Sequence, residues 1–214
     1  MIGILDYGMG NLRSVQKAFE FIRGPRAVVI DRPEQLMGCE KIVLPGVGNF
    51  ADGMDQLRQR QLVESVLDYA RHGRPLLGVC MGMQLLLTGS TEDAPPGQTL
   101  PGLNLVPGQV VRFQEQPADG GRRLKVPHMG WNRLDPVRGS PLFAGLATEV
   151  GDHHAYFVHG FYCRPDDPGV VAATTDYGQP FCAALHQQNL WAMQFHPEKS
   201  QKVGLQLLHN FATL

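Results

Sequence analysis

The chain has 214 residues, enough for one sizeable domain, and a domain of that length buries roughly 70% of its unfolded surface without disulfide or metal staples. With 43% hydrophobic and 18% charged residues it reads as a globular protein, neither disordered nor fibrous. Its 19 basic and 20 acidic residues leave a net charge of −1 and no basic run, which argues against nucleic acid or an anionic membrane as partner.

In chain order, Ile2-Gly3-Ile4-Leu5 is a short buried strand, followed by a polar loop from Asp6 to Asn11. Leu12, Val15, Phe19 and Ile22 recur every three or four residues and predict a helix. Gly8-Met9-Gly10 follows the first strand, but Arg13 stands where the third glycine of a dinucleotide fingerprint belongs, so that reading fails. Ala27–Ile30 and Ile42–Leu44 are continuous apolar strands. One helix is predicted between Asp52 and His72, with Met54, Leu57, Val63, Val66, Leu67 and Ala70 on its apolar face. Leu76–Val79 is a fourth strand. Apolar strands alternating with helices indicate an α/β fold with a mostly parallel central sheet flanked by helices.

After Gly89 the texture changes. The Pro- and Gly-rich stretch from Asp93 to Gly108 is predicted as a loop, and short strands are expected at Gln109–Phe113, Ala155–Val158 and Val170–Ala173. Phe181–Leu185 and Leu190–Phe195 read as a β-hairpin around a four-residue loop, His186–Asn189. Val203–Phe211 is a closing helix. There is no internal repeat or low-complexity tract, so a single domain over 1–214 is expected. Cys39, Cys80, Cys163 and Cys182 are scattered, without a C-x-x-C pair. With no basic leader and no apolar stretch near the ~20 residues that span a bilayer, the expectation is a cytoplasmic protein with reduced thiols.

The chemistry concentrates at Gly78-Val79-Cys80-Met81-Gly82. A nucleophile flanked by glycines two residues away on each side, between a strand and a helical run ending near Leu87, is the cysteine form of a nucleophile elbow. Side chains at the flanking positions would collide with neighbouring backbone. The N–H groups and positive end of the following helix favour a thiolate. A lone cysteine in a strand is more often a core residue, but His196-Pro197-Glu198 supplies a base and a carboxylate to orient it. Along an extended strand His196 and Glu198 would face the same side. Pro45-Gly46-Val47-Gly48 is a second glycine-rich turn. It reads equally as an ordinary βα turn or, beside such an elbow, as an oxyanion hole shared with Met81. His153, His154 and His159 have no acid or cysteine at ligand spacing, so no metal is expected.

Together these segments resemble the class I (triad-type) glutamine amidotransferases, and among them the glutaminase subunits of imidazole glycerol phosphate synthase. The likeness runs through Asp6-Tyr7-Gly8-Met9-Gly10-Asn11-Leu12, Leu44-Pro45-Gly46-Val47-Gly48, Leu77 to Leu86, Val126-Pro127-His128-Met129-Gly130-Trp131-Asn132, Tyr156-Phe157-Val158-His159 and Gln194 to Ser200. It implies a flavodoxin-like amidotransferase fold with additional short antiparallel strands. It further implies Cys80, His196 and Glu198 as the triad, Val47 and Met81 as backbone oxyanion donors, and Gly46, Gln84, Gly160 and Phe161 around the glutamine. Asn11, Met129, Trp131, Tyr156 and Lys199 would face a partner, a (β/α)8-barrel cyclase subunit that receives ammonia. No cofactor is implied. Gly160-Phe161 departs from the small hydroxyl residue and Tyr usual in the family: if backbone groups hold the substrate there little changes, and if a hydroxyl contributes, glutamine affinity is lower here. Without the resemblance, the residues reach only a thiol-dependent acyl transferase or hydrolase. The same elbow would serve amidotransferases of anthranilate, aminodeoxychorismate or pyridoxal phosphate synthesis, a cysteine peptidase, or a non-catalytic scaffold that regulates a partner.

Overall fold

A computed structural model describes residues 1–114, 124–137, 139–146 and 153–214. The elements in order are β1 (Ile2–Leu5), α1 (Leu12–Phe21), β2 (Ala27–Ile30), α2 (Pro33–Leu36), β3 (Lys41–Gly46), α3 (Phe50–Gln59), α4 (Leu62–Arg71), β4 (Leu76–Cys80) and α5 (Met81–Leu85). Then come β5 (Leu87–Ser90), β6 (Leu100–Pro101), β7 (Val106–Arg112), β8 (His128–Arg133), β9 (Asp135–Pro136), β10 (His154–His159), β11 (Phe161–Pro165), β12 (Val171–Asp176), β13 (Pro180–Gln187), β14 (Leu190–Met193) and α6 (Gln201–Thr213).

Eight strands form the central sheet in the order β2-β1-β3-β4-β14-β13-β12-β9. The first five are parallel and reproduce the flavodoxin-like 2-1-3-4-5 order. The far edge is antiparallel. Alternate residues of β3 point to opposite faces: Val43 joins a core with Phe19 of α1 and Leu207 and Phe211 of α6. Ile42 and Leu44 join a second core with Met54 and Leu57 of α3 and Val66 and Tyr69 of α4. Two small sheets, β11-β7-β5-β6 and β10-β8, flank the carboxyl ends of the parallel strands. No helix among the described residues is long and apolar enough to cross a membrane.

Several local expectations need correction. The helix expected from Asp52 to His72 is two helices, broken where Gln61 adopts φ 57°. The helical run after Cys80 stops at Leu85, and Leu87 opens a strand, so the helix dipole behind the cysteine is shorter than expected. The stretch from Asp93 to Gly108 is not wholly loop: it holds β6 and the start of β7. Gln187 pairs with Leu190, so the hairpin loop is two residues, Gln188-Asn189, with Gln188 at φ 55°. Finally, β8 and β11 were not foreseen: β8 mixes His, Gly and Asn with its apolar residues, and β11 has no regular alternation of buried and exposed positions.

Candidate active site

β3 and β4 run side by side with Gly46 opposite Cys80, which brings the turn after β3 against the elbow after β4. Cys80 itself sits at φ 55°, ψ −111°, a conformation costing of order 1–3 kcal/mol for a residue with a side chain. The flanking glycines make it possible. A Cβ on Gly78 would lie 2.8 Å from the Gly82 carbonyl oxygen, and one on Gly82 would overlap the Leu44 carbonyl oxygen. Gly46 is under the same constraint, with the Tyr7 hydroxyl 2.5 Å from the position of its missing Cβ. Tyr7 is fully buried and donates to the Pro45 carbonyl at 2.6 Å, pinning the turn from below.

His196 reaches the site from just beyond β14. The chain has already left the sheet there: Pro197–Lys199 is a 3-10 turn, and this turn, rather than strand alternation, brings Glu198 under the imidazole. His196 Nδ1–H donates to Glu198 Oε1 at 2.9 Å, with both side chains almost wholly buried. Because a carboxylate only accepts, this bond leaves His196 Nε2 for the pocket. Nε2 has no hydrogen-bond partner in strict geometry among the described residues. Burial disfavours the imidazolium, but Cys80 and Glu198 outweigh that cost and push the His196 pKa up. An imidazolium beside the sulfur is the state that supports a thiolate. The turn is anchored from behind, where His196 N–H donates to the Tyr156 carbonyl and the Ser200 hydroxyl bridges the His196 carbonyl and the Tyr156 N–H.

These groups line one cavity of about 180 Å³ with Val47, Gly48, Met81, Gln84, Glu92 and the Val158–Phe161 segment. That is below the ~300–1,000 Å³ of pockets for drug-sized ligands and suits a single amino acid. A larger, open groove of about 500 Å³ between α1 and α6 is lined by no cysteine, serine or carboxylate. Cys80, His196, Val47, Met81, Gln84, Gly160 and Phe161 thus converge on the cavity, with Glu198 directly behind His196 and Gly46 facing Cys80 across the sheet. Gln84 donates from Nε2 to the Phe161 carbonyl at 3.0 Å and to Gln194 Oε1 at 3.1 Å.

Two site residues escaped the sequence reading. Glu92, in the cavity wall, accepts from the Phe50 N–H at 2.8 Å, and burial raises its pKa. An acid two residues beyond the short strand β5 carries no motif that would flag it. Gln194 is fully buried beside the sulfur; its position inside the Gln194-to-Ser200 segment was the only available signal.

Among the expected partner-facing residues, Trp131 of β8 stands opposite Tyr156 of β10, their rings 6.0 Å apart. Lys199 Nζ lies 5.6 Å from the centre of the Tyr156 ring. Met129, two residues from Trp131 on the same strand, is 63% exposed and Trp131 48%. Asn11 is different: its side chain accepts from Ser14 N–H and caps α1, and no hydrogen bond ties it to this cluster among the described residues. Two further buried histidines lie at the site, His159 in the cavity wall and His128 against it. His159 Nδ1–H donates to the Phe161 carbonyl at 2.7 Å, and His128 stacks between Phe157 and Tyr177. Burial lowers the pKa of His159 to about 3 and of His128 to about 4, so both are neutral at physiological pH.

Comparison with known proteins gives the chain its relatives. Residues 5–213 match the family model of class-I glutamine amidotransferases. The chain is 52% identical to "Imidazole glycerol phosphate synthase subunit HisH" of Syntrophotalea carbinolica, over the full length of both chains. It is 54% identical to the protein of the same name from Geobacter sulfurreducens, over 100% of this chain and 98% of that one. A crystal structure described as a glutamine amidotransferase superposes with a TM-score of 0.71 at 22% identity, covering 100% of this chain and 99% of that one, a likeness of fold.

Proposed function

The chain belongs to the class-I glutamine amidotransferase family, and on that footing we propose that it is the glutaminase subunit of an imidazole glycerol phosphate synthase, working through a Cys80–His196–Glu198 triad. It is an enzyme of glutamine hydrolysis in histidine biosynthesis. The observation that carries the mechanism is the joint burial of a strained elbow cysteine and a carboxylate-bound imidazole in one small cavity.

The Cys80 thiolate attacks the side-chain carboxamide carbon of L-glutamine, and the backbone N–H groups of Val47 and Met81 receive the oxyanion. His196 gives its proton to the departing nitrogen, ammonia leaves, and a cysteinyl thioester remains. His196 then takes a proton from water as it attacks the thioester, releasing glutamate and restoring the thiol pair. Glu198 holds the imidazole in the tautomer both steps need. Glu92, the carboxylate in the cavity wall, suits the substrate's α-ammonium. The chemistry uses protein groups alone.

The exposed Met129–Trp131 face with Tyr156 and Lys199 supports docking on a (β/α)8-barrel cyclase that consumes the ammonia. A cytoplasmic heterodimer, with this subunit as one domain over 1–214, completes the reading.

The deciding experiment is glutamine hydrolysis and product formation by the purified chain, with and without the cyclase and its nucleotide ligand. In the complex, Cys80→Ala abolishes synthesis from glutamine but leaves synthesis from ammonium salts intact. Equal loss with both nitrogen sources would sink the division of labour, and a stable pairing with a chorismate-using enzyme would overturn the choice of partner.

A further inference from the structure

From the buried amide chain behind the nucleophile, we infer that Gln194 is a positioning residue that holds the Cys80 sulfur as a hydrogen-bond acceptor, with its direction set by the Phe161 carbonyl. The inference rests on Cys80 being the nucleophile.

Amide orientation follows from what each partner can do. The Phe161 carbonyl only accepts, and it already takes the His159 Nδ1–H at 2.7 Å. Gln84, 3.0 Å away on the same oxygen, must therefore present its NH2 group there. The second hydrogen of that NH2 group points at Gln194, 3.1 Å away, which must answer with Oε1. Once Oε1 is turned to Gln84, the NH2 group of Gln194 faces Cys80 Sγ at 3.9 Å, long but within reach for sulfur. Reversing Gln84 would set its oxygen against the Phe161 carbonyl, and reversing Gln194 would set two donors against each other, in a region where Gln84 is 5% exposed and Gln194 fully buried. A backbone carbonyl two elements away thus dictates that the chain ends in a donor at the sulfur. A donor stabilises a thiolate and does nothing comparable for a thiol. The same polarity leaves Gln84 Oε1, which makes no hydrogen bond among the described residues, as an acceptor at the cavity.

The other titratable groups around the sulfur come from separate elements: His196 with Glu198 behind it after β14, Tyr7 after β1, Cys163 on β11, Glu92 after β5 and His159 on β10. None of them can replace a neutral donor fixed in direction. Tyr7 gives its hydrogen to Pro45, Cys163 is buried and protonated, and Glu92 only accepts.

The test is the pH–rate profile of Cys80 alkylation by iodoacetamide in the full chain, read by intact mass with Cys80→Ser as background. Gln194→Glu keeps the shape and the bond from Gln84 but offers oxygen to the sulfur. It is expected to slow alkylation at pH 7 about tenfold, the scale of one hydrogen bond to a charged group, and to move the profile to higher pH. Glutaminase kcat falls in parallel while KM changes less than twofold. Gln194→Met, which removes the donor without adding charge, shifts the profile in the same direction by less. Gln84→Met, which frees the Gln194 amide to turn, gives an intermediate loss and serves where a Gln194 variant does not fold. A profile unchanged from wild type in Gln194→Glu overturns the inference. The nucleophile reading fails separately, if Cys80→Ser retains glutaminase activity.

Discussion

Two regions meet at the Cys80 cavity and are built in opposite ways. The seam of β3, β4 and α5 is buried on both sides, and its shape is dictated by backbone touching backbone at Gly78 and Gly82 and by Tyr7 against Gly46. The β8–β10 ribbon has only two strands, shows Met129 and Trp131 to solvent, and is tied in largely by side chains, the His128–Phe157 stack and the Ser200 bridge to the Pro197–Lys199 turn, beside one backbone bond from His196 to Tyr156. A reacting atom needs the first kind of support, because its position cannot drift. A surface that must respond to a partner needs the second.

Alanine at matched glycines breaks the comparison most sharply. Gly82→Ala drives a Cβ into the Leu44 carbonyl, where neither side can yield, and is expected to cost more than about 4 kcal/mol in urea unfolding. Gly130→Ala on β8 meets no atom within 4 Å and suffers only from φ 140°, so a loss of about 1–3 kcal/mol is expected. Equal losses would erase the distinction between the regions. Next in size, Glu198→Gln should lower glutaminase kcat on the order of 100-fold with an unchanged melting temperature, since the base remains but its orientation weakens. A drop in melting temperature with normal kcat would make Glu198 structural.

Acid probes the ribbon through its histidines. His128 and His159 have folded-state pKa values lowered to about 4 and about 3 from an unfolded value of 6.5. Depressed values mean that the unfolded chain binds protons first, so stability present above about pH 6.5 is lost as pH falls toward 4 and 3. His196, with its pKa raised from 6.5 to about 10, is already protonated in the folded protein while the unfolded chain takes up that proton near pH 6.5, so it opposes the fall at the top of this window and adds no slope well below pH 6.5. Unfolding free energies between pH 7 and pH 4 check this, and His128→Gln should flatten the fall. Smallest of all, Trp131→Ala and Lys199→Ala should leave stability within about 0.5 kcal/mol yet weaken activation by the cyclase several-fold. Full activation in both would remove this face from the interface.

The seam was legible in the sequence because its constraint is local. Glycines two residues either side of a cysteine state a steric requirement that needs no knowledge of the rest of the fold. The five parallel strands were legible for a similar reason, being continuous apolar runs. The ribbon was only half visible, since β8 mixes His, Gly and Asn with exposed apolar residues and owes its strand to pairing with β10. Turns at Gln61 and Gln188 were misjudged because glutamine at positive φ carries no Gly, Asn or Pro signal. Gln194 reads as a polar residue in a short segment; its direction emerges only when Gln84 and Phe161 are brought together by the fold.

The Gly82–Leu44 contact has a mechanical consequence. It welds the start of α5 to β3, so Cys80 and this strand share one rigid body, and Tyr7 clamps the strand at Pro45. The first residue beyond the clamp that is open to solvent is Val47, 43% exposed, followed by Gly48 at φ 106°. The two peptide units between Gly46 and Gly48 then carry the freedom left on this wall, and a partner pressing there acts on one short hinge rather than on the whole site.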